Sequence, residues 1–320
     1  MIITITPNPA LDLTWHVDRL SPGATHRVPA GAARAGGKGL NAARVLHGTG
    51  HDVVALTTCG GRTGAEFRGE LEASGIPHRL LPVGAATRRS VAIVDDASGE
   101  ATVLNELGAP LSADEASALA GAAAEAVRTA DVVAICGSLP PGFDADALGA
   151  LVGALTAGGA RVVVDTSDSG ILAAARAGAH ALKPNGEELA AATGHDDPIE
   201  GARALIALGA RLVLVSLGAD GLIVIGERGR PVHARLPSAL HGNATGAGDA
   251  AVAAIAVELA AGDDLWSDTD AAADARARLA RRATAWSASA VLMPLAGELS
   301  PDHPALADEV VVTTIDEDRR

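Results

Sequence analysis

The sequence predicts an α/β protein: a mostly parallel sheet covered by helices on both faces, with a small second sheet set apart as a lid. Three observations point there. Runs of β-branched residues alternate with alanine-rich stretches of helical length. Two segments break that rhythm. A chain of 320 residues fits one large domain with a small appendage better than two equal domains.

IITIT near the start is followed by GLNAARVLHG, DVVALTT by GAEFRGELEASG, DVVAIC by DADALGALVGALTAGG, and RVVVDT by SGILAAARAG. Parallel strands need long crossover connections, and helices of this length supply them on both faces of the sheet. Alanine richness reflects helix propensity here, not low complexity. LVLVSLGADGLIVIGE differs: two strands meet across Gly218 to Gly221, a hairpin that ends the wound sheet. Residues 11–33 and 87–105 each read as two short strands around a turn, at SPGA and at DASG, and together they form the lid. Both have too little apolar sequence for a core of their own, so the lid should be mobile when empty and close on its ligand. Its exposed strand edges favour pairing of two copies into a dimer. The tail from Pro301 carries no clear signal.

Hydrophobic residues make up 48% of the chain, but its apolar runs, at 132–136, 162–164 and 212–215, have the length of buried strands, far short of the ~20 residues that span a membrane. The opening MIITITPNPALD has neither a basic start nor a small-residue cleavage site after an apolar stretch. That argues against a secretory signal and for a cytoplasmic protein. A net charge of −14 opposes binding to nucleic acid or anionic membranes, which need a clustered basic face. Any anionic ligand must be met locally. Cys59 and Cys136 lie beside strand-like segments without metal-type spacing and read as buried reduced thiols.

Rare residues are the more informative part of the composition. Of 25 basic residues only Lys38 and Lys183 are lysines, and both sit in turns marked by glycine or proline. There is no glutamine, and the five asparagines, Asn8, Asn41, Asn105, Asn185 and Asn243, all fall in turn-like stretches. Asparagine favours turns in any protein. Here the same turns hold the candidate chemistry.

In GNATGAGDAAVAAIAVELAAG at 242–262 a Gly-Ala-Gly turn opens a helix and leaves Asp249 in its first turn. Free backbone N–H groups and the helix dipole make such an end an anion site, and Gly246 and Gly248 let a phosphate approach the backbone. Asp249 faces whatever binds there, or is an ordinary acid at a helix N-terminus. Gly246-x-Gly248-x-x-Ala251 also meets a loose dinucleotide fingerprint, but no clear strand precedes it and no ribose-binding acid ends a second strand near 268–270. In AGGKGLNAARVL at 35–46 a Gly-rich turn carries Lys38 and Asn41 into a helix; Ala32 and Gly39 stand where a Walker loop needs Gly and Ser/Thr. In LKPNGEELAAATG at 182–194, Asn185 and Glu188 lie on one helix face, where they orient Mg²⁺-bound water and phosphate or form a capping box, two readings of nearly one geometry.

TPNPALD at 6–12, GGKGLN at 36–41, CGSLPPG at 136–142, VVDTSDSGI at 163–171, KPNGEEL at 183–189, VSLGADG at 215–221 and NATGAGD at 243–249 together resemble the PfkB-type carbohydrate kinases, in order and over nearly the whole chain. The TPNPALD opening and the TRRSVAIVD and NELG segments are most similar to the branch of 1-phosphofructokinases and tagatose-6-phosphate kinases. The resemblance implies a single kinase domain over 1–320, a ribokinase-like three-layer α/β/α sandwich with a β-sheet lid. It implies ATP and Mg²⁺ as cofactors and a hexose monophosphate such as fructose 1-phosphate as acceptor. A tagatose 6-phosphate or fructose 6-phosphate kinase, or a kinase of an unphosphorylated sugar, is the alternative.

By the same resemblance Asp249 is the general base, and the amides of Gly246, Ala247 and Gly248 stabilise the transferring phosphoryl group. Asp12 and Asn41 hold sugar hydroxyls, with Gly37 and Ser138 beside the sugar. Lys38 and Arg88, helped by Arg27, bind the phosphate already on the substrate as unpaired cations. Lys183, Asn185, Ser216, Gly218 and Thr245 serve the nucleotide, and Glu188 the metal. Some positions depart from the pattern: Ala244-Thr245 replaces the usual Thr-Val, Cys136 stands where Ser is usual, and SASAVLMPLAGE replaces an ending in Pro-Gly-Thr. Contacts on the adenine side are therefore not implied.

Overall fold

The computed structural model describes residues 1–126 and 132–316. Numbered along the chain, the strands are β1 (Ile2–Thr6), β2 (Ala10–Val17), β3 (Ala32–Gly36), β4 (Val53–Cys59), β5 (His78–Pro82), β6 (Arg88–Asp95), β7 (Ala101–Asn105), β8 (Val132–Cys136), β9 (Arg161–Asp165), β10 (Ala181–Leu182), β11 (Leu212–Ser216), β12 (Leu222–Gly226), β13 (Val232–Arg235) and β14 (Val311–Thr314). The helices are α1 (Lys38–Gly48), α2 (Gly61–Ser74), α3 (Ala113–Ala126), α4 (Ala145–Ala157), α5 (Ser169–Arg176), α6 (Gly186–Thr193), α7 (Pro198–Leu208), α8 (Ala247–Ala260), α9 (Asp270–Val291) and α10 (His303–Glu309).

Ten strands form one sheet in the order β14-β13-β12-β11-β10-β9-β8-β1-β4-β5, parallel from β5 to β11. Its central strands are apolar on both faces, as a sheet sandwiched between helices requires. Along β8, Val132, Ala134 and Cys136 join the core under α1, α8 and α9, while Val133 and Ile135 join the core under α4, α5 and α7. Period-two alternation thus feeds two separate cores from one strand. Cys59 and Cys136 are buried and unbridged, as their surroundings imply. Among the described residues no helix is long and apolar enough to cross a membrane.

The structure corrects one expectation of topology. The hairpin of β11 and β12 does not end the sheet, because β13 and then β14 continue it with antiparallel pairing. The tail without clear signal supplies both α10 and that edge strand. Four residues of β14 are too short a run to show period two in the sequence. Asp131, at the start of the DVVAIC strand, and the last four residues of the tail lie outside the described residues.

Strands β3, β2, β6 and β7 make the second sheet in that order. The DASG turn joins β6 to β7 as the sequence predicts. In the first segment the strands are farther apart: β2 ends at Val17 and β3 begins only at Ala32, so SPGA sits in a long exposed loop and is not a tight hairpin turn.

The wound sheet switches direction at β1, which pairs with β4 on one side and β8 on the other. In open α/β sheets ligands bind beyond the carboxyl ends of the strands at such a point. The lid stands over this end, because β2 follows β1 directly and β3 leads straight into α1.

Candidate active site

A cleft of about 1080 Å³ lies between the lid and the carboxyl ends of β1, β8, β9, β10 and β11. Its floor is the first turn of α8. Gly246 caps that helix in the left-handed region, φ 92°, a conformation that glycine adopts without strain. Gly246, Ala247 and Gly248 line the cleft, and the Ala247 N–H donates to Ala244 O at 3.3 Å. Asp249 follows in the helix's first turn and is buried, 6% exposed, although the sequence suggests an exposed helix start. Burial pushes its carboxyl up to about 6, and the charge of Asp165 adds to this; the hydrogen bond from Asn41 and the charges of Lys38 and Lys183 act against them. Asn41 Nδ2 lies 2.8 Å from Asp249 Oδ2, while Asn41 Oδ1 is buried without a hydrogen-bond partner.

Lys38 opens α1 behind Gly37, whose φ of 112° sets the turn. Its ammonium is 3.2 Å from Asp165 Oδ1 and 3.9 Å from Glu188 Oε1. Lys183 Nζ is 3.6 Å from the other oxygen of Asp165. Burial works against the charge of Lys38, but Asp165, then Glu188 and Asp249, outweigh it and hold the ammonium above its ordinary range. A Cβ on Gly248 would stand 3.3 Å from Lys183 Nζ, so this lysine borders the α8 turn.

The expectation of two unpaired cations is therefore corrected. Lys38 is paired with Asp165, and Arg88 donates from Nε and Nη2 to Asn8 O, 3.2 Å each, and from Nη1 to Glu106 O at 3.1 Å. These hydrogen bonds go to carbonyl oxygens, while the carboxylates of Asp12 and Glu106 favour the charge of Arg88 from nearby. Asp12, on β2, faces the same end of the cleft. Burial raises its carboxyl to about 7, with Asp249 adding to the rise and Arg88, Arg44 and Arg34 opposing it. Gly36 across the strand pair makes room, since a Cβ there would overlap the Asp12 carboxylate.

Asn185 and Glu188 do form the capping box: Asn185 Oδ1 accepts from Glu188 N at 2.8 Å, and Asn185 N donates to Glu188 Oε2 at 2.9 Å. The same two residues line the cleft, where Glu188 Oε1 faces Lys38. Gly37, Arg88, Ser216, Gly218, Thr245 and Ala247 also line it, as does Ser138, whose Oγ accepts from Asn8 Nδ2 at 3.0 Å. Arg27 does not; it lies on the exposed loop between β2 and β3.

Asp165 is the residue to which the sequence assigns no role. It sits at the end of β9, 1% exposed, with both lysines around it and Oδ2 lacking a hydrogen-bond partner. The available signal was an acid ending an apolar strand, RVVVD, at the ligand-binding edge of a parallel sheet. Among the described residues no three His, Cys, Asp or Glu converge as a metal cage. Mg²⁺ in phosphoryl-transfer sites is held by one or two carboxylates together with substrate phosphates. Asp165, whose Oδ2 faces Lys183 but accepts no hydrogen bond, and Glu188 suit that arrangement.

The fold and this site define a kinase of the carbohydrate type. The chain belongs to the pfkB family of carbohydrate kinases, whose family model matches residues 7–289, and it is an ATP-dependent phosphotransferase. It is 37% identical over 268 residues to a 1-phosphofructokinase of Xanthomonas campestris, covering 80% of this chain and 83% of that one. It is 36% identical to a 1-phosphofructokinase of Rhodobacter capsulatus, with 98% of each covered. The crystal structure of phosphofructokinase-2 from Escherichia coli in complex with fructose-6-phosphate superposes with a TM-score of 0.84 at 27% identity, over 96% of this chain and 98% of that one. The ribokinase-like fold with a four-stranded lid, expected from the motifs, is thus the fold observed.

Proposed function

We propose that this kinase transfers the γ-phosphoryl group of ATP to fructose 1-phosphate, giving the bisphosphate and ADP. The observation that carries the reading is Asp249, a buried carboxylate beside a helix N-terminal anion turn, with cationic groups at both ends of the cleft of an acidic protein. Asp249 takes the proton as the acceptor oxygen bonds to the γ-phosphorus and the bond to the ADP oxygen breaks. The amides of Gly246, Ala247 and Gly248 stabilise the charge on the phosphoryl group in passage.

Asn41 orients Asp249 and offers its unpartnered Oδ1 to a sugar hydroxyl; Asp12 accepts from another. Arg88 and Lys38 meet the phosphate that the acceptor carries, with Gly37 and Ser138 beside the sugar. Lys183, Asn185, Ser216, Gly218 and Thr245 hold the nucleotide. Asp165 and Glu188 would hold Mg²⁺, which neutralises charge on the phosphate oxygens.

The relatives favour fructose 1-phosphate. The Escherichia coli neighbour carries fructose-6-phosphate, so that isomer is the second reading. A homodimer through the lid accompanies this function: β7 is exposed throughout, with Val103 43%, Leu104 60% and nearby Leu107 88% exposed, an edge that pairing would cover. Arg27, on the outer loop of the lid, would then serve the site from that interface. A cytoplasmic enzyme is the setting this reading implies. The test is ADP release measured over free hexoses and their 1- and 6-phosphates. Fructose 1-phosphate should give the highest kcat/KM, and a higher value with another acceptor overturns the assignment.

A further inference from the structure

The stretch LMPLAGE, which departs from the family's pattern, forms a strap along the back of the site. Asn243 Nδ2 donates to Pro294 O at 3.1 Å, and a Cβ on Gly242 would overlap Val291 O. A Cβ on Gly246 would stand 3.0 Å from Ala296 Cα and 3.2 Å from Gly297 N. Gly297 in turn lies on α1, where a Cβ would meet Arg44 Cβ at 3.0 Å and Asn41 Cα at 3.2 Å. The turn at 242–246 and α1 at Asn41 and Arg44 therefore both pack closely against the strap. Packed protein interiors do not deform continuously.

At its far end Glu298 Oε1 pairs with Arg34 Nη2 at 2.9 Å. Arg34 belongs to β3 of the lid and is the register partner of Asp12 across the β2–β3 pair. The base of β3 is held from the other side as well. Arg44 Nη2 donates to Ala35 O at 3.0 Å and to Glu70 Oε2 at 2.6 Å, and Glu70 Oε2 accepts from Ala35 N at 2.8 Å. One continuous set of contacts thus runs from Asp12 through Arg34, Glu298 and Gly297 to Gly246.

We propose that Glu298, through its ion pair with Arg34, is a positioning residue that couples the lid strand beside Asp12 to the phosphate-binding turn at Gly246. The inference rests on the reading that the Asp12 end holds the acceptor and that the turn receives the phosphoryl group. The coupling sets the distance between the two reacting groups, to which rate is steeply sensitive. Arg34 and Glu298 are 15% and 37% exposed at their side chains, so solvent screens part of the attraction and the effect is moderate.

The test is a double-mutant cycle with Glu298→Gln, Arg34→Leu and both together, plus the exchange Arg34→Glu with Glu298→Arg. Steady-state kinetics are run on whichever acceptor the ADP-release screen shows the wild type to use, so an error in the acceptor is separated from an error here. Each single variant should lower kcat/KM about 3- to 10-fold, with kcat falling as well as KM rising, and the double variant should be no worse than either. The exchange should recover part of the loss. Additive effects, an unchanged kcat, or a loss of folded protein that accounts for the whole change in activity would each overturn the proposal.

Discussion

Asn41 donates its side-chain amide to Asp249 across 2.8 Å, joining the first turns of two helices whose residues lie 208 positions apart in the chain. Both helices begin in glycine turns, and both present their N-terminal ends to one carboxylate. Free N–H groups and the helix dipoles favour negative charge there and offset part of the cost of burying it. The remaining cost shows as a carboxyl raised to about 6, mainly by burial. A base that takes its proton near neutral pH is suited to deprotonating a sugar hydroxyl.

Asp249→Asn should fold normally, because an amide fits the same first turn, but lower kcat by at least the ~10²- to 10⁴-fold typical of a lost general base. In the wild type the working form is the carboxylate, so kcat should fall as pH drops through about 6. Near-normal turnover of the variant, or a flat wild-type profile between about 5 and 7, would remove Asp249 from the role of base.

Asp165 lies between Lys38 and Lys183, and its charge is second only to burial in raising the Asp249 carboxyl. Asp165→Asn removes that charge and leaves the two ammonium groups, which lower the Asp249 carboxyl. The acid limb of kcat/KM should therefore move to lower pH, while turnover falls because the lysines lose their common anchor. A limb that stays in place or moves upward contradicts this electrostatic account of the site.

Asp12 gives a prediction about stability. Its carboxyl titrates at the ordinary value of 3.8 in the unfolded chain and at about 7 in the folded one, so the folded state binds the additional proton. The stabilisation is complete below about pH 4 and is lost as pH rises through about 7. Asp12→Asn, neutral throughout, should have a melting temperature close to the wild type at acid pH and above it at pH 8. Thermal unfolding of both proteins without ligand across this range checks the sign, and a wild type that gains on the variant with rising pH reverses it.

Much of this site was legible because glycine turns mark backbone that must approach a ligand. Gly37 and Gly246, at φ 112° and 92°, are read directly from GGKG and TGAGD. Lys38 and Lys183 stood out by rarity alone. Pairing was not legible: nothing local in RVVVD shows that Asp165 will lie between lysines 127 and 18 positions away. The same limit hid β14, whose partner β13 is distant in sequence, and the strap at Pro294–Glu298, which has no periodicity. SPGA is a sound turn signal, and Ala24 N does donate to Ser21 O at 3.1 Å, but the turn lies within the long β2–β3 loop and no strands close on it.

The last prediction concerns the acceptor's own phosphate. With Lys38 engaged by Asp165, Arg88 is the cation whose contacts are all to carbonyl oxygens, of Asn8 and Glu106. Such contacts fix the guanidinium in place; the carboxylates of Asp12 and Glu106 favour its charge from nearby without a direct ion pair. One charge-assisted hydrogen bond to phosphate contributes roughly 1.5–3 kcal/mol, or about 10- to 10²-fold in kcat/KM. Arg88→Ala should lower use of the phosphorylated hexose by about that factor and leave any activity on the free hexose almost unchanged. Arg88→Lys should recover only part, since an ammonium cannot reproduce the planar fork that reaches both carbonyls. Both substrates are to be measured with all three proteins. If the wild type uses free fructose as well as its phosphates, Arg88 does not read a phosphate, and the acceptor is an unphosphorylated sugar.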